Sequence, residues 1–418
     1  MTEDKKIKDP EREKRKFKTA RDMRELMTAY YTEAKTAEID GSKKIAWITS
    51  GGPVEPLHAM DVIPIYPENH SAMLGASKMS VEICEVAEEM GYSRDLCSYF
   101  RGDIGSAVTK KSPIPGALPK PDFLVAANNI CGTVTKWYEI LSRFFDVPLF
   151  LLDTPFIHGK ITKQSSEYVD AQMREFISFL EVNCGKKFDH DRFKEVAETA
   201  LEGLYLWEDV LATCENRPAP MSCFDAFFFI GPIVTLRGTK ECNEFYKKVL
   251  AELKQRIEDK IFAVPDEKIR LLWDNIPIWT RLRDLSELFA SHGACLVADT
   301  YTNAWARTKI EGDDPVKGLG HALHLAYLNI DFQQMIEEVK GLIKRFSADG
   351  FVIHSNRSCK PYSLGQFDMA RTIQEEMDIP TLIIEADQTD DRVFSEEQTK
   401  TRVEAFIETV TEKIKKAS

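Results

Sequence analysis

No Cys-x-x-Cys pair occurs anywhere in this 418-residue chain. That absence excludes zinc ribbons and ferredoxin-type cluster runs, whose ligands follow one another at short fixed spacings. Neither G-x-x-x-x-G-K-S/T nor G-x-G-x-x-G is present, so there is no phosphate loop or dinucleotide fingerprint, and no nucleotide is expected to bind to this chain. The G-x-S-x-G elbow of α/β hydrolases is also missing. No apolar run reaches the roughly 18 residues that a membrane span requires. The first seventeen residues are dense in Lys, Glu and Asp and lack the apolar core of a signal peptide. These absences point to a cytoplasmic protein with no membrane partner. A basic excess is lacking as well: 55 Lys and Arg face 67 Asp and Glu, a formal net charge of -12. With no basic patch beyond the N-terminal tail, a nucleic-acid partner is excluded.

Nine cysteines are present, an odd number scattered without a signal sequence. Such usage disfavours a disulfide framework and fits reduced thiols, some able to bind metal. The chain is too long for one ordinary core, which suggests two or three domains. Helical spacing over 20–37 leads into a strand over 44–49 and the loop Ser50-Gly51-Gly52-Pro53. A second strand is expected over 62–66, ending at Pro67-Glu68-Asn69-His70, and a helix over 79–90. A proline-rich loop over 113–121 delivers the chain to the strand Phe123–Ala127, the helix Thr133–Phe145 and the strand Val147–Leu152. Strand, helix and strand in alternation mark a parallel α/β sheet with crossover helices. Long helical patterns then dominate over 166–182, 189–214 and 243–261. Strands resume at 269–273, 294–298, 350–354 and 381–385, and a last amphipathic helix runs over 396–416. The expected organisation is a mobile or surface-lying charged tail over 1–17, a first α/β domain with an N-terminal helix over 18–161, a helical connecting region over 162–262 and a second α/β domain over 263–418.

Cys97, Cys131 and Cys359 each stand at or near the end of a predicted element in a polar or glycine-containing setting. An iron-sulfur cluster needs soft thiolates converging from such loops, where backbone N–H groups can face sulfur. Spacing alone carries no motif that joins the three. Cys84, Cys184, Cys214, Cys242 and Cys295 fall inside helical or strand patterns, where a free cysteine is usually a small packing residue. His58, His70 and His354 lie near candidate loops, where a lone histidine more often hydrogen-bonds than ligates. Glu55 and Glu68 flank the same presumed pocket edge, although a loop carboxylate is usually just solvated. Ser50-Gly51-Gly52 could offer backbone N–H groups to an anion. Phe227, Phe228, Phe229, Trp279 and Trp305 could line a pocket, but aromatics at such spacings are more often core.

Four segments together carry a resemblance: Tyr66-Pro-Glu-Asn-His70, Gly91-Tyr-Ser-Arg-Asp-Leu-Cys-Ser-Tyr99, Asn128-Asn-Ile-Cys-Gly-Thr-Val-Thr-Lys-Trp-Tyr-Glu139 and Asn356-Arg-Ser-Cys-Lys360. From about Ala46 to the C-terminus the chain resembles the cluster-bearing subunits of the benzoyl-CoA reductase and 2-hydroxyacyl-CoA dehydratase family. The resemblance implies an α/β fold of two flavodoxin-like (Rossmann-like) parallel-sheet domains joined by a helical segment, with the cluster between them. It implies that Cys97, Cys131 and Cys359 hold one [4Fe-4S] cluster with an open coordination site for water or the thioester carbonyl of an acyl-CoA substrate. An open iron that is both Lewis acid and electron donor would form a ketyl radical anion where it is stabilised. Ser50 matches a serine beside the open iron in the dehydratases, and Glu68 matches a glutamate assigned to proton handling.

Within that family Asn128-Asn129-Ile130-Cys131 and Arg357-Ser358-Cys359-Lys360 lean toward the dehydratase substrate subunit. Asn216-Arg217-Pro218, Ile230-Gly231-Pro232 with Arg237-Gly238-Thr239, and Gly159–Lys163 lean toward the aryl-CoA reductase subunit. The expectation places the reductase first and the (R)-2-hydroxyacyl-CoA dehydratase second. Either would pair this chain with a homologous second cluster subunit and a separate ATP-hydrolysing activator protein. Two further readings stay open: a non-catalytic electron-relay subunit of the same complex, and a cluster-free α/β binding protein.

Overall fold

The computed structural model describes residues 15–417 apart from 308 and 311. Eight strands form two four-stranded sheets, every pairing parallel. The first contains β1 (Ile45–Ile48), β2 (Ile63–Ile65), β3 (Phe123–Ala127) and β4 (Leu149–Leu152) in the order β2-β1-β3-β4. The second contains β5 (Ile269–Asp274), β6 (Ala294–Asp299), β7 (Gly350–Asn356) and β8 (Thr381–Ala386) in the order β6-β5-β7-β8. β1, β3, β5 and β6 are buried at every residue, as strands covered by crossover helices on both faces must be. Each order steps out from its first strand to one side and returns to the other, as in flavodoxin-like sheets. The reversal falls between β1 and β3 in one sheet and between β5 and β7 in the other. Ligands of open α/β sheets collect at the carboxyl ends of the strands at that reversal. Ser50 follows β1, Cys131 lies beyond β3 and Cys359 follows β7.

Between the sheets in sequence lie the helices Lys163–Cys184, His190–Ala212 and Lys240–Glu258. They pack on both units. Phe176 stacks on Phe150 of β4 at 5.0 Å, and Trp207 Nε1 donates to the Thr302 carbonyl beyond β6 at 3.0 Å. Residues 1–14 of the expected charged tail lie outside the described residues, whereas Phe17 at its inner end is docked. Its ring meets Phe229 edge-on at 5.0 Å and lies beneath the Arg256 guanidinium at 4.1 Å.

Two of the helices that stand where no element was expected matter most to the site. Pro67–Ala76 begins at a proline, which pre-sets φ for a first helical turn, so Glu68 belongs to a helix rather than a loop. Ser98–Thr109 carries Gly102 and Gly105, which weaken its helical signal. A Cβ at Gly105 would stand 2.0 Å from the Ile83 carbonyl oxygen of the neighbouring helix Ser80–Glu89. Close helix approach therefore demands the glycine that hides the helix from a propensity reading.

Candidate active site

Three thiols stand at three helix N-termini and line one cavity of about 190 Å³. Cys97 is the N-cap of Ser98–Thr109, Cys131 of Gly132–Phe145 and Cys359 of the short turn Lys360–Ser363. Backbone N–H groups of the turn that follows each sulfur favour its thiolate: those of Tyr99 and Phe100 at Cys97, of Thr133 and Val134 at Cys131, and of Tyr362 at Cys359. Gln388 Nε2 adds a donor to Cys97 Sγ at 3.3 Å. N–H groups at helix starts carry positive partial charge and favour thiolate over thiol.

Burial acts in the opposite direction and is the larger effect. It pushes Cys97 up to about 12, Cys131 up, and Cys359 well above the ordinary thiol range. The charges of the three also bear on one another: Cys131 raises Cys97, and both raise Cys359. Sulfurs so placed ionise together only if they share a positively charged group. Among the described residues no three His, Cys, Asp or Glu side chains close on one point as they would around a single metal ion. The donor set is sulfur alone, backed by N–H dipoles, which fits the soft-ligand chemistry of an iron-sulfur cluster held by three cysteines. Cys84, Cys214, Cys223, Cys242 and Cys295 are buried elsewhere in the core, and Cys184 is half-buried away from the cavity.

Ser50 and Glu68 meet at the edge of this group. The Ser50 N–H donates to Glu68 Oε2 at 2.5 Å, and Ser50 Oγ bonds to the same oxygen. Burial raises the Glu68 carboxyl above its ordinary range, while the two bonds from Ser50 work against that rise. The charge of Glu68 in turn disfavours the Cys131 thiolate. The loop Ser50-Gly51-Gly52 thus spends its Ser50 N–H on an internal carboxylate and its Gly52 N–H on the Thr49 carbonyl. A Cβ at Gly51 would meet Asn129 Oδ1 and Ile130 Cγ2 at 2.7 Å. Glycine there lets the loops after β1 and β3 close on each other, and Asn129 Nδ2 fastens them by donating to Gly51 O at 2.9 Å.

His58, His70 and His354 are not cavity residues. Burial pushes each down to about 4, so all three are neutral near pH 7. His70 Nε2 bonds Ser112 Oγ at 2.9 Å and His354 Nδ1 bonds the Ile276 carbonyl at 2.6 Å. Of the aromatics considered above, Trp279 and Trp305 line the cavity, Phe227 and Phe229 are core, and Phe228 is exposed. Sequence reasoning missed Tyr99, whose hydroxyl accepts from Trp279 Nε1 at 2.5 Å in the cavity wall. It named Arg237 only within a family motif and did not place it in the site, where its Nε donates to Glu55 Oε1 at 2.7 Å. The two residues are 182 positions apart, and no local pattern announces the pair.

The chain belongs to the 2-hydroxyglutaryl-CoA dehydratase, D-component family, whose model matches residues 49–410. It is 34% identical over 394 residues to the (R)-2-hydroxyisocaproyl-CoA dehydratase alpha subunit of Clostridioides difficile, covering 94% of this chain and 96% of that protein. It is 31% identical to the (R)-phenyllactyl-CoA dehydratase alpha subunit of Clostridium sporogenes, covering 97% and 99%. It is also 31% identical to a benzoyl-CoA reductase subunit of Thauera aromatica, covering 94% and 95%. Among the described residues no helix is long and apolar enough to cross a membrane.

Proposed function

We propose that this chain is the substrate-handling, cluster-bearing subunit of an enzyme acting on CoA thioesters. A 2-hydroxyacyl-CoA dehydratase is the first reading and an aryl-CoA reductase the second. The observation that carries the proposal is the convergence of Cys97, Cys131 and Cys359, each capping a helix, on one cavity beside Ser50 and Glu68. The order reverses the expectation from sequence motifs, because two of the three relatives described above are dehydratase subunits. The similarity to a benzoyl-CoA reductase subunit keeps the reductase in second place.

Cys97, Cys131 and Cys359 would hold one [4Fe-4S] cluster. Three protein thiolates leave one of its four irons without a protein ligand. Such a cluster supplies single electrons and a Lewis acid for a thioester carbonyl. The protein's own residues do the rest. Glu68 fixes Ser50 at the carboxyl end of β1 and, through its raised affinity for a proton, can hold or release one near the thiols. Tyr99, Trp279 and Tyr301 wall the cavity with aromatic rings that exclude water. The names of the relatives mark them as subunits, so we place beside this chain a homologous second cluster subunit. ATP hydrolysis belongs to a separate activator, since this chain has no phosphate loop.

Anaerobic isolation followed by iron and sulfide analysis is the test. One [4Fe-4S] per chain is expected, lost in Cys359→Ala; a protein without iron, or a variant with the full cluster spectrum, sinks the proposal. Incubation with activator, ATP and paired thioesters then separates the two readings: an enoyl product identifies the dehydratase and a cyclic diene the reductase. A cluster spectrum indifferent to every acyl-CoA would instead identify an electron-relay subunit.

A further inference from the structure

Among the described residues, the cavity is lined by only three charged side chains: Glu68, Glu55 and Arg237. Glu68 is engaged by Ser50. Arg237 is the single cation, and Glu55 has already claimed it. Their ion pair closes at 2.7 Å with side chains 10% and 1% exposed, and Trp305 stacks on the guanidinium at 5.6 Å. Glu55 sits in the short helix Glu55–Ala59 that follows the β1 loop. Its other oxygen, Oε2, is buried and has no hydrogen-bond partner. The adjacent His58 is held neutral by burial and offers no second positive charge. The cavity wall also carries the hydrocarbon of Ile230, Val234, Trp305, Ile310, Leu319 and Ala322. Both members of the pair line the same cavity as the three sulfurs.

We infer that this cavity takes an uncharged acyl group, apolar or aromatic, and that the Arg237–Glu55 pair makes it reject an acyl group ending in a carboxylate. The inference rests on the acyl-CoA reading above and narrows it to a substrate class. An entering carboxylate would find the cavity's single cation already neutralised by Glu55 and would approach the bare Glu55 Oε2 in a dry, low-dielectric space, where an unpaired charge is costly. An aliphatic or aryl group would instead exchange water for the hydrocarbon wall. Were Arg237 unpaired, the same cavity would favour a dicarboxylic acyl group, because a buried guanidinium binds carboxylate in bidentate fashion. Specificity is thus set by the partner of the arginine, not by the arginine alone.

The test measures binding of 4-methylpentanoyl-CoA, benzoyl-CoA, glutaryl-CoA and free CoA to anaerobically isolated protein with its copurifying subunits, without activator or ATP. The two uncharged thioesters are expected to bind at least about tenfold more tightly than glutaryl-CoA. Glu55→Gln, which releases Arg237, is expected to shrink that gap by about tenfold. The double variant Glu55→Gln with Arg237→Gln leaves no buried unpaired charge and is expected to keep the wild-type ranking. Glutaryl-CoA binding as tightly as the uncharged thioesters to the wild type overturns the inference while leaving the acyl-CoA reading intact. A gap unchanged in folded Glu55→Gln removes the pair from specificity. Thioesters that bind no better than free CoA overturn both inference and reading.

Discussion

The backbone N–H of Ser98 donates to Ser358 Oγ at 3.1 Å across 260 residues of sequence. Ser358 passes the bond on, its hydroxyl donating to Asp387 Oδ2 at 2.5 Å, while Asp387 Oδ1 accepts the N–H groups of Thr389 and Asp390 at 3.0 Å. Since Ser98 follows Cys97 and Ser358 precedes Cys359, one hydroxyl ties the loop of a thiol from the first unit to the loop of a thiol from the second. Both Ser358 and Asp387 are buried. Ser358→Ala strands the Ser98 N–H and deprives a buried carboxylate of a donor, a loss of about 1–3 kcal/mol. Denaturant unfolding checks the stability. Iron content after gel filtration checks the second consequence, looser cluster retention; an unchanged value for both would show that the bond does not position the cysteines.

Glu68→Gln keeps an oxygen to accept from Ser50 but removes the titratable proton. Turnover is expected to fall by roughly 10²–10⁴-fold, the range for a lost general acid or base, with acyl-CoA binding little changed. Burial raises the carboxyl of Glu68, so its protonated form persists to higher pH than an ordinary glutamate's. The wild-type pH–rate profile should therefore carry an inflection above the ordinary carboxylate range, and the variant should lose it. The same inflection in Glu68→Gln would assign the proton to another group.

Much of the fold was legible because parallel strands buried on both faces are uninterrupted apolar runs. Ile45–Ile48, Phe123–Ala127 and Ala294–Asp299 lie within a residue or two of their expected bounds. What stayed hidden depends on contacts between distant segments. Cysteine is not among the usual N-cap residues, so nothing local shows that Cys97 begins a helix, whereas the helix after Cys131 follows its expected bounds to within a residue. Ser98–Thr109 is masked by glycines that packing requires, and Glu68 reads as a loop residue because Pro67 resembles a strand terminator before it resembles a helix start. The thiols came together in the reading only through family resemblance, since their separations in sequence carry no motif.

Asp103 is buried in the Ser98–Thr109 helix, accepting from Trp137 Nε1 at 2.8 Å. Burial pushes its carboxyl from 3.8 up to about 7, against the opposing bond from Trp137. A carboxyl raised on folding favours the folded state most below its unfolded value, and that contribution is lost as pH rises from about 4 to about 7. Asp103→Asn retains an acceptor for the indole without the charge. It is expected to be more stable than wild type by roughly 2–4 kcal/mol at pH 8 and to lose the advantage toward pH 4. Unfolding titrations at several pH values decide this, and a difference independent of pH would place the effect outside ionisation.

Gly105 couples helix packing to the position of Cys97. Its missing Cβ lets the helix capped by Cys97 approach the Ile83 carbonyl on Ser80–Glu89, where an added carbon would stand at 2.0 Å from backbone oxygen. Backbone cannot step aside as a flexible side chain can, so Gly105→Ala must push the helices apart. The cost is expected near the upper end of overpacking, about 3 kcal/mol. Arg101, four residues from Cys97 in the same helix, is held by Asp390 at 3.1 Å and by Glu88 of Ser80–Glu89 at 2.5 Å, so strain between the two helices is passed to the turn that carries Cys97. Gly105→Ala should bind less iron than wild type even at temperatures where it stays folded. Iron retention equal to wild type in a destabilised but folded variant would separate helix packing from thiol placement.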